Sequence, residues 1–111
     1  MEIKHQVDGN VIVFIPTGRI DGATAQLFQD HCSAHVIESC NNVIVDFSNV
    51  TYISSAGLRA LLNVSKKSKS LGGKLVLCKI HGSVKDVIII SGFDVILGNY
   101  PDVEGAKSSF K

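Results

Sequence analysis

Apolar residues fall in short runs, and the polar, glycine-bearing breaks between them set the elements. Glu2 to Val7 and Val11 to Ile15 flank Asp8-Gly9-Asn10. An Asp-Gly pair between two such runs is a strong hairpin signal, because a tight turn needs positive φ. Val11-Ile12-Val13-Phe14-Ile15 lacks polar alternation, which predicts a strand covered on both faces. Pro16 is expected to end it, since proline has no amide to give to a ladder. Thr17 to Gly22 reads as loop. From Thr24 to about Ser39, the residues Ala25, Phe28, Cys32 and Val36 recur at helical spacing and predict a buried stripe.

Val43-Ile44-Val45-Asp46-Phe47 predicts a second buried strand with Asp46 at its carboxyl end. Ser48 to Ile53 reads as loop. Ser54 reads as the N-cap of a helix, because its hydroxyl can accept from an orphan amide. Leu58, Leu61, Leu62 and Ser65 form that helix's apolar face, Leu71 extends it, and Gly72-Gly73 supplies a left-handed stop. Leu75 to Cys78 is a third buried strand. Val87-Ile88-Ile89-Ile90 favours a strand by propensity. Ser83 as a cap and Gly92 as a stop nevertheless favour a short helix from Val84 to Ser91. Ile96-Leu97 reads as a last short strand. A final helix follows Pro101, with Asp102 as cap, and runs to Phe110.

This order predicts an α/β fold in a single domain spanning residues 1–111. A mostly parallel sheet carries an antiparallel edge hairpin strand, with about four helices connecting and covering it. The length, 111 residues, is enough for a core without disulfide staples. With 45% hydrophobic and 19% charged residues, the chain is not a disordered one.

Charge and cysteine usage narrow the function classes. Eleven basic residues against ten acidic ones give a net charge of +1. That balance offers no reason to expect direct nucleic-acid binding. No Trp and only two Tyr leave no stacking platform for single strands. No apolar run approaches the ~20 residues that span a bilayer, so no membrane insertion is expected. Met1-Glu2-Ile3-Lys4-His5 lacks a signal-peptide layout. Cys32, Cys40 and Cys78 show no C-x-x-C spacing and read as reduced, mostly buried thiols of a cytoplasmic protein.

In open α/β sheets, sites collect at the carboxyl ends of the strands. Two segments qualify: residues 18–24, which contain Arg19, Asp21 and Thr24, and residues 46–59, from Asp46 to Arg59. Both lead into helix N-termini, where negative charge is favoured. No G-x-S-x-G elbow surrounds Ser54-Ser55-Ala56-Gly57, and no nucleotide-binding glycine motif occurs. Neither a serine hydrolase nor a nucleotide enzyme is therefore expected. His31 and His35, at i and i+4, could bind metal from one helix face. Cys32 is adjacent, but no third ligand matches, and no metal is expected.

Asp46-Phe47-Ser48-Asn49-Val50 followed by Tyr52-Ile53-Ser54-Ser55-Ala56-Gly57-Leu58 resembles the signature of STAS domains, in particular bacterial anti-sigma factor antagonists. Gly18-Arg19-Ile20-Asp21 with Thr24-Ala25, Gly92-Phe93-Asp94, and residues 100–106 also resemble that family, so the likeness runs over nearly the whole chain. The resemblance implies a regulatory module, not an enzyme and without a cofactor, that binds an anti-sigma factor which is also a serine kinase. The kinase phosphorylates a serine at the start of the second helix and so releases the antagonist; a serine phosphatase restores it. On this chain the acceptor position is Ser55, with Asp21 as the loop acid beside it. Where many members have an acid this chain has Ser54, and where they have a second Ser or Thr it has Ala56. A capping Ser54 would fold back onto the first turn and leave Ser55 to project outward.

Plainer readings stand beside these. Ser55 is also an ordinary helix N-terminal serine, and Asp21 an ordinary turn or cap acid. Asp46 reads as an acceptor for loop amides. Arg59, Lys66, Lys67 and Lys69 make either a solvated helix face or a docking face for an acidic partner. The expected partner-binding set is Asp21, Ser54, Ser55 and Arg59. The alternatives are a STAS adaptor in a transporter or stress-signalling complex, and a small ligand-binding α/β module that is never phosphorylated.

Overall fold

A computed structural model describes residues 1–111. The strands are β1 (Glu2–Asp8), β2 (Val11–Ile20), β3 (Asn42–Asp46), β4 (Val50–Ile53), β5 (Leu75–Cys78) and β6 (Asn99–Tyr100). The helices are α1 (Ala25–His35), α2 (Ser55–Ser70), α3 (Gly82–Ser91), α4 (Phe93–Leu97) and α5 (Val103–Ser108). The sheet runs β1-β2-β3-β5-β6, and only the β1–β2 pair is antiparallel. Its turn is the predicted one: Asp8 pairs with Val11, and Gly9 between them has φ of 62°.

Pro16 does not end β2. The strand leaves β3 after Phe14 and joins β4 at Gly18. Pro16 falls in that interval, where no parallel neighbour needs an amide. Gly18, at φ 107°, sits at the register shift within the β2–β4 ladder, where Gly18 pairs with Val50 and Arg19 already pairs with Tyr52. The predicted loop from Ser48 to Ile53 is a loop only to Asn49. Val50-Thr51-Tyr52-Ile53 are all good strand formers, and they form β4 beside the second half of β2. Residues 42–53 thus run along β2 as one interrupted strand.

Other boundaries also shift. α1 stops at His35 because Val36 is already extended (φ −89°, ψ 107°), although Val36 stays buried as the stripe requires. α3 starts at Gly82 with His81 as its cap, not Ser83. Ile96-Leu97 is not a strand: Gly92, left-handed at φ 78°, ends α3 and at once begins α4, which contains both residues. The last strand is instead the polar pair Asn99-Tyr100, and with the short α4 the helices number five, in keeping with the about four expected.

Both faces of the sheet are covered. Ile12 and Phe14 point into the larger core with Phe28, Cys32, Leu61 and Val64 of α1 and α2. Val11 and Val13 alternate to the other face, where Ile44, Val76 and Cys78 meet Ala106 of α5. All three cysteines are free and buried. Burial pushes the Cys78 thiol up to about 12 and raises those of Cys32 and Cys40. No helix is long and apolar enough to cross a membrane.

Candidate functional site

The carboxyl end of β2 and the start of α2 are tied by backbone. The Ser54 amide donates to the Ile20 carbonyl at 3.0 Å. The Ser54 hydroxyl accepts from the Gly57 amide at 3.3 Å, so the predicted N-cap is present. Leu58 donates to the Ser54 carbonyl, which leaves the amides of Ser55 and Ala56 as the orphan donors of the first turn. No acid stands in that turn to occupy them. Ser55 is exposed, and no hydrogen bond engages its hydroxyl. Arg59 lies one turn further along α2 on the same side, exposed and without an ion pair.

Gly57 is what permits the close approach. A Cβ at that position would stand 2.5 Å from the Ile20 carbonyl oxygen and 2.7 Å from Ile53 Cγ1. Nothing larger than glycine fits between the helix and the end of β2.

Asp21 follows directly on Ile20 and so lies beside this turn. Its carboxylate accepts from the Ala23 amide at 3.0 Å, closing an Asx turn. The Ala23 amide is the main cause holding its carboxyl below the ordinary value, with Arg19 and Thr24 adding to it against some desolvation. The Thr24 hydroxyl accepts from the Asp21 amide and donates to the Arg19 carbonyl at 2.6 Å. Loop 19–24 is therefore fastened before α1 begins.

Sequence alone marks Arg19 only as part of a loop. Its guanidinium lies 4.1 Å from the Tyr52 ring centre and 3.3 Å from Asp21. The signal for it lay in the β2–β4 register, which puts Arg19 opposite Tyr52. Between α1 and α2, Gly22, Ala25 and Gln26 face Ala56, Arg59 and Asn63 across a shallow groove. Asp21, Ser54, Ser55 and Arg59 thus share one end of the domain.

Asp46 stands apart from them in use. It is buried, accepts from the Ser48 amide at 2.9 Å, and lies 3.7 Å from Lys79 Nζ, which fits its reading as a strand-end acceptor. On the basic side of α2, Lys66 and Lys69 are exposed, while Lys67 donates to the Ser33 carbonyl and braces α1. One histidine was missed. His5 on β1 joins His31 and His35, with one ring nitrogen of each within 4.8 Å of the others.

The STAS domain profile matches residues 2–106 of the chain. BtrV of Bordetella bronchiseptica, a candidate anti-sigma factor antagonist, is 35% identical over 106 residues, 96% of this chain and 90% of its own. A candidate anti-sigma factor antagonist of Thermotoga maritima shares the fold with a TM-score of 0.89, covering 97% of this chain and 93% of that one at 21% identity. The Bacillus cell fate determinant SpoIIAA in its phosphorylated form superposes with a TM-score of 0.72, covering 97% and 99% at 14% identity.

Proposed function

The chain belongs to the STAS domain family, and from that premise we propose that it is a cytoplasmic anti-sigma factor antagonist switched by phosphorylation of Ser55. Its partners are an anti-sigma factor that is also a serine kinase, and a serine phosphatase that reverses the modification. The protein itself performs no catalysis. Asp21, Ser54, Ser55 and Arg59 form the centre of the surface that the kinase grips.

One observation carries this reading: the division of labour at the start of α2. Ser54 is spent on capping the helix, whereas the neighbouring hydroxyl is exposed and unengaged. A kinase needs an acceptor oxygen that it can reach without unwinding the helix, and Ser55 offers one. Phosphate adds a charge of about −1.5 to −2 at pH 7. In the free protein that charge is met by the orphan amides of Ser55 and Ala56. At an interface fitted to a neutral hydroxyl it must be desolvated, and each 1.4 kcal/mol or so of mismatch loosens binding about tenfold.

The test is phosphosite mapping by mass spectrometry after incubation with the candidate kinase and ATP, joined to binding titrations. Phosphate is expected on Ser55 in the wild type and in Ser54→Ala. Ser55→Ala should bind the kinase and accept no phosphate, and Ser55→Asp should bind weakly with a near-normal melting temperature. Phosphate confined to Ser54, or wild-type affinity in Ser55→Asp, overturns the assignment.

A further inference from the structure

Three of the chain's four histidines meet at one place. His5 lies on the edge strand β1, opposite Phe14 of β2. His31 and His35 are one turn apart near the end of α1, which packs over that face. The ring centres are 4.4 Å apart for His5 and His35, 4.7 Å for His31 and His35, and 5.8 Å for His5 and His31. Phe14 stands edge-on to the group, 6.0–6.3 Å from each ring. We propose that His5, His31 and His35 form a binding site for a divalent transition-metal ion of the zinc type, with water in the fourth position.

The donor chemistry selects the ion. Three imidazoles and no carboxylate suit a borderline ion such as Zn²⁺, and offer nothing to Mg²⁺ or Ca²⁺, which need oxygen. Cys32 is no ligand, since it is fully buried in the core and outside the group of three rings.

The second shell is partly built. His35 Nδ1 lies 2.8 Å from the His31 carbonyl. A carbonyl only accepts, so Nδ1 carries the proton there and Nε2 keeps the lone pair a metal requires. His31 Nε2 is buried without any hydrogen-bond partner. A polar atom in that position is costly unless something satisfies it, and a bound cation would.

Zn–N bonds of about 2.0–2.1 Å in a tetrahedron put ligating nitrogens roughly 3.3 Å apart. The three present nitrogens lie within 4.8 Å of one another, so side-chain torsion alone closes the site. His5 is exposed and free to make that turn. A bound ion would fasten the edge strand to the last turn of α1. Ten residues of helix, about 15 Å, separate His35 from Ala25 at the Ser55 end, so the site stands independently of the phosphorylation reading.

The test uses the full chain without an affinity tag, stripped with chelator and titrated calorimetrically with ZnCl₂. One Zn²⁺ per chain is expected, with a rise in melting temperature. His5→Gln and His35→Gln should each weaken binding at least about tenfold. His81→Gln should leave it unchanged, since His81 Nε2 lies 3.2 Å from the carbonyls of Phe47 and Ser48, away from the cluster. Co²⁺ in place of Zn²⁺ should give the intense visible bands of a four-coordinate ion. His5→Gln is on an exposed strand position, so it stays informative if substitution in α1 impairs folding. No saturable 1:1 binding, unchanged affinity in His5→Gln, or equal loss in His81→Gln overturns the proposal.

Discussion

Ser54 and Ser55 are adjacent in the chain and opposite in use: the Ser54 hydroxyl accepts from the Gly57 amide at 3.3 Å, and the Ser55 hydroxyl stands in solvent without a partner. The difference comes from backbone conformation. Ser54 is extended (φ −98°, ψ 176°), which lets its side chain fold over the first turn, while Ser55 is the first helical residue.

Substitution should separate the two in stability as well as in modification. Ser54→Ala removes the cap and should cost about 0.5–2 kcal/mol. Ser55→Ala removes no intramolecular bond and should stay within about 0.5 kcal/mol of wild type. Urea denaturation of both variants measures this. Equal losses would mean that Ser54 is not the working cap.

Gly57→Ala should be the more damaging change. Its Cβ meets the Ile20 carbonyl, which is backbone and already accepts from Ser54. Overpacking of this kind costs about 1–3 kcal/mol, and here it also pushes the start of α2 away from Asp21. Partner affinity should fall with stability. Gly22→Ala, where a Cβ meets nothing within 4 Å, is the control and should leave stability nearly unchanged. A Gly57→Ala variant with a wild-type denaturation midpoint would show that α2 adjusts freely.

Much of this arrangement is readable along the chain, because it is local. Asp8-Gly9 fixes the hairpin, the Ala25, Phe28, Cys32, Val36 stripe fixes α1, and Ser54 followed by helical spacing fixes the cap. Most of the misreadings of the sheet and of the histidines turn on partners distant in sequence. Pro16 ends a strand only if the strand keeps one neighbour, and β2 changes neighbours at that point. Val50–Ile53 is too short and too close to polar Ser48-Asn49 to read as a strand until β2 is beside it. Ile96 and Leu97 look like a strand pair, yet Gly92 starts a new helix turn that takes them in. His5 escapes notice for the same reason: only β1 pairing with β2, under α1, brings it within reach of His31 and His35.

The loop acid carries a pH signature. Asp21 has its carboxyl held below the ordinary 3.8, mainly by the Ala23 amide. A carboxyl depressed in the folded state contributes stability that is fully present above the unfolded value and is lost as pH falls through the folded one. The wild type should therefore lose stability below about pH 4 more steeply than Asp21→Asn, and the two should run parallel above pH 5 or so. Melting curves from pH 2 to 7 decide it. Identical acid slopes would show that the Asx turn contributes nothing to holding loop 19–24.

If Ser55 is the phosphorylation site proposed above, Arg59 links the two states of the switch. It lies four residues after Ser55 on α2, exposed and without an acidic partner. In the unmodified protein it would be free to engage an acidic group of the proposed kinase. After phosphorylation the same guanidinium comes within reach of a phosphate at Ser55, where charge-assisted pairs are strong. The phosphorylated chain should therefore be no less stable than the unmodified one, gaining on the order of 0.3–1 kcal/mol from the helix terminus alone and more from the Arg59 pair. Arg59→Glu should abolish the part of the gain that Arg59 adds and should weaken kinase binding well beyond Lys111→Glu, which makes the same change of charge at Lys111. Calorimetric melting of both forms and binding titrations of both variants supply the comparison. Equal weakening by the two reversals would mean that net charge alone governs docking, and the placement of Arg59 at the centre of the interface would be wrong.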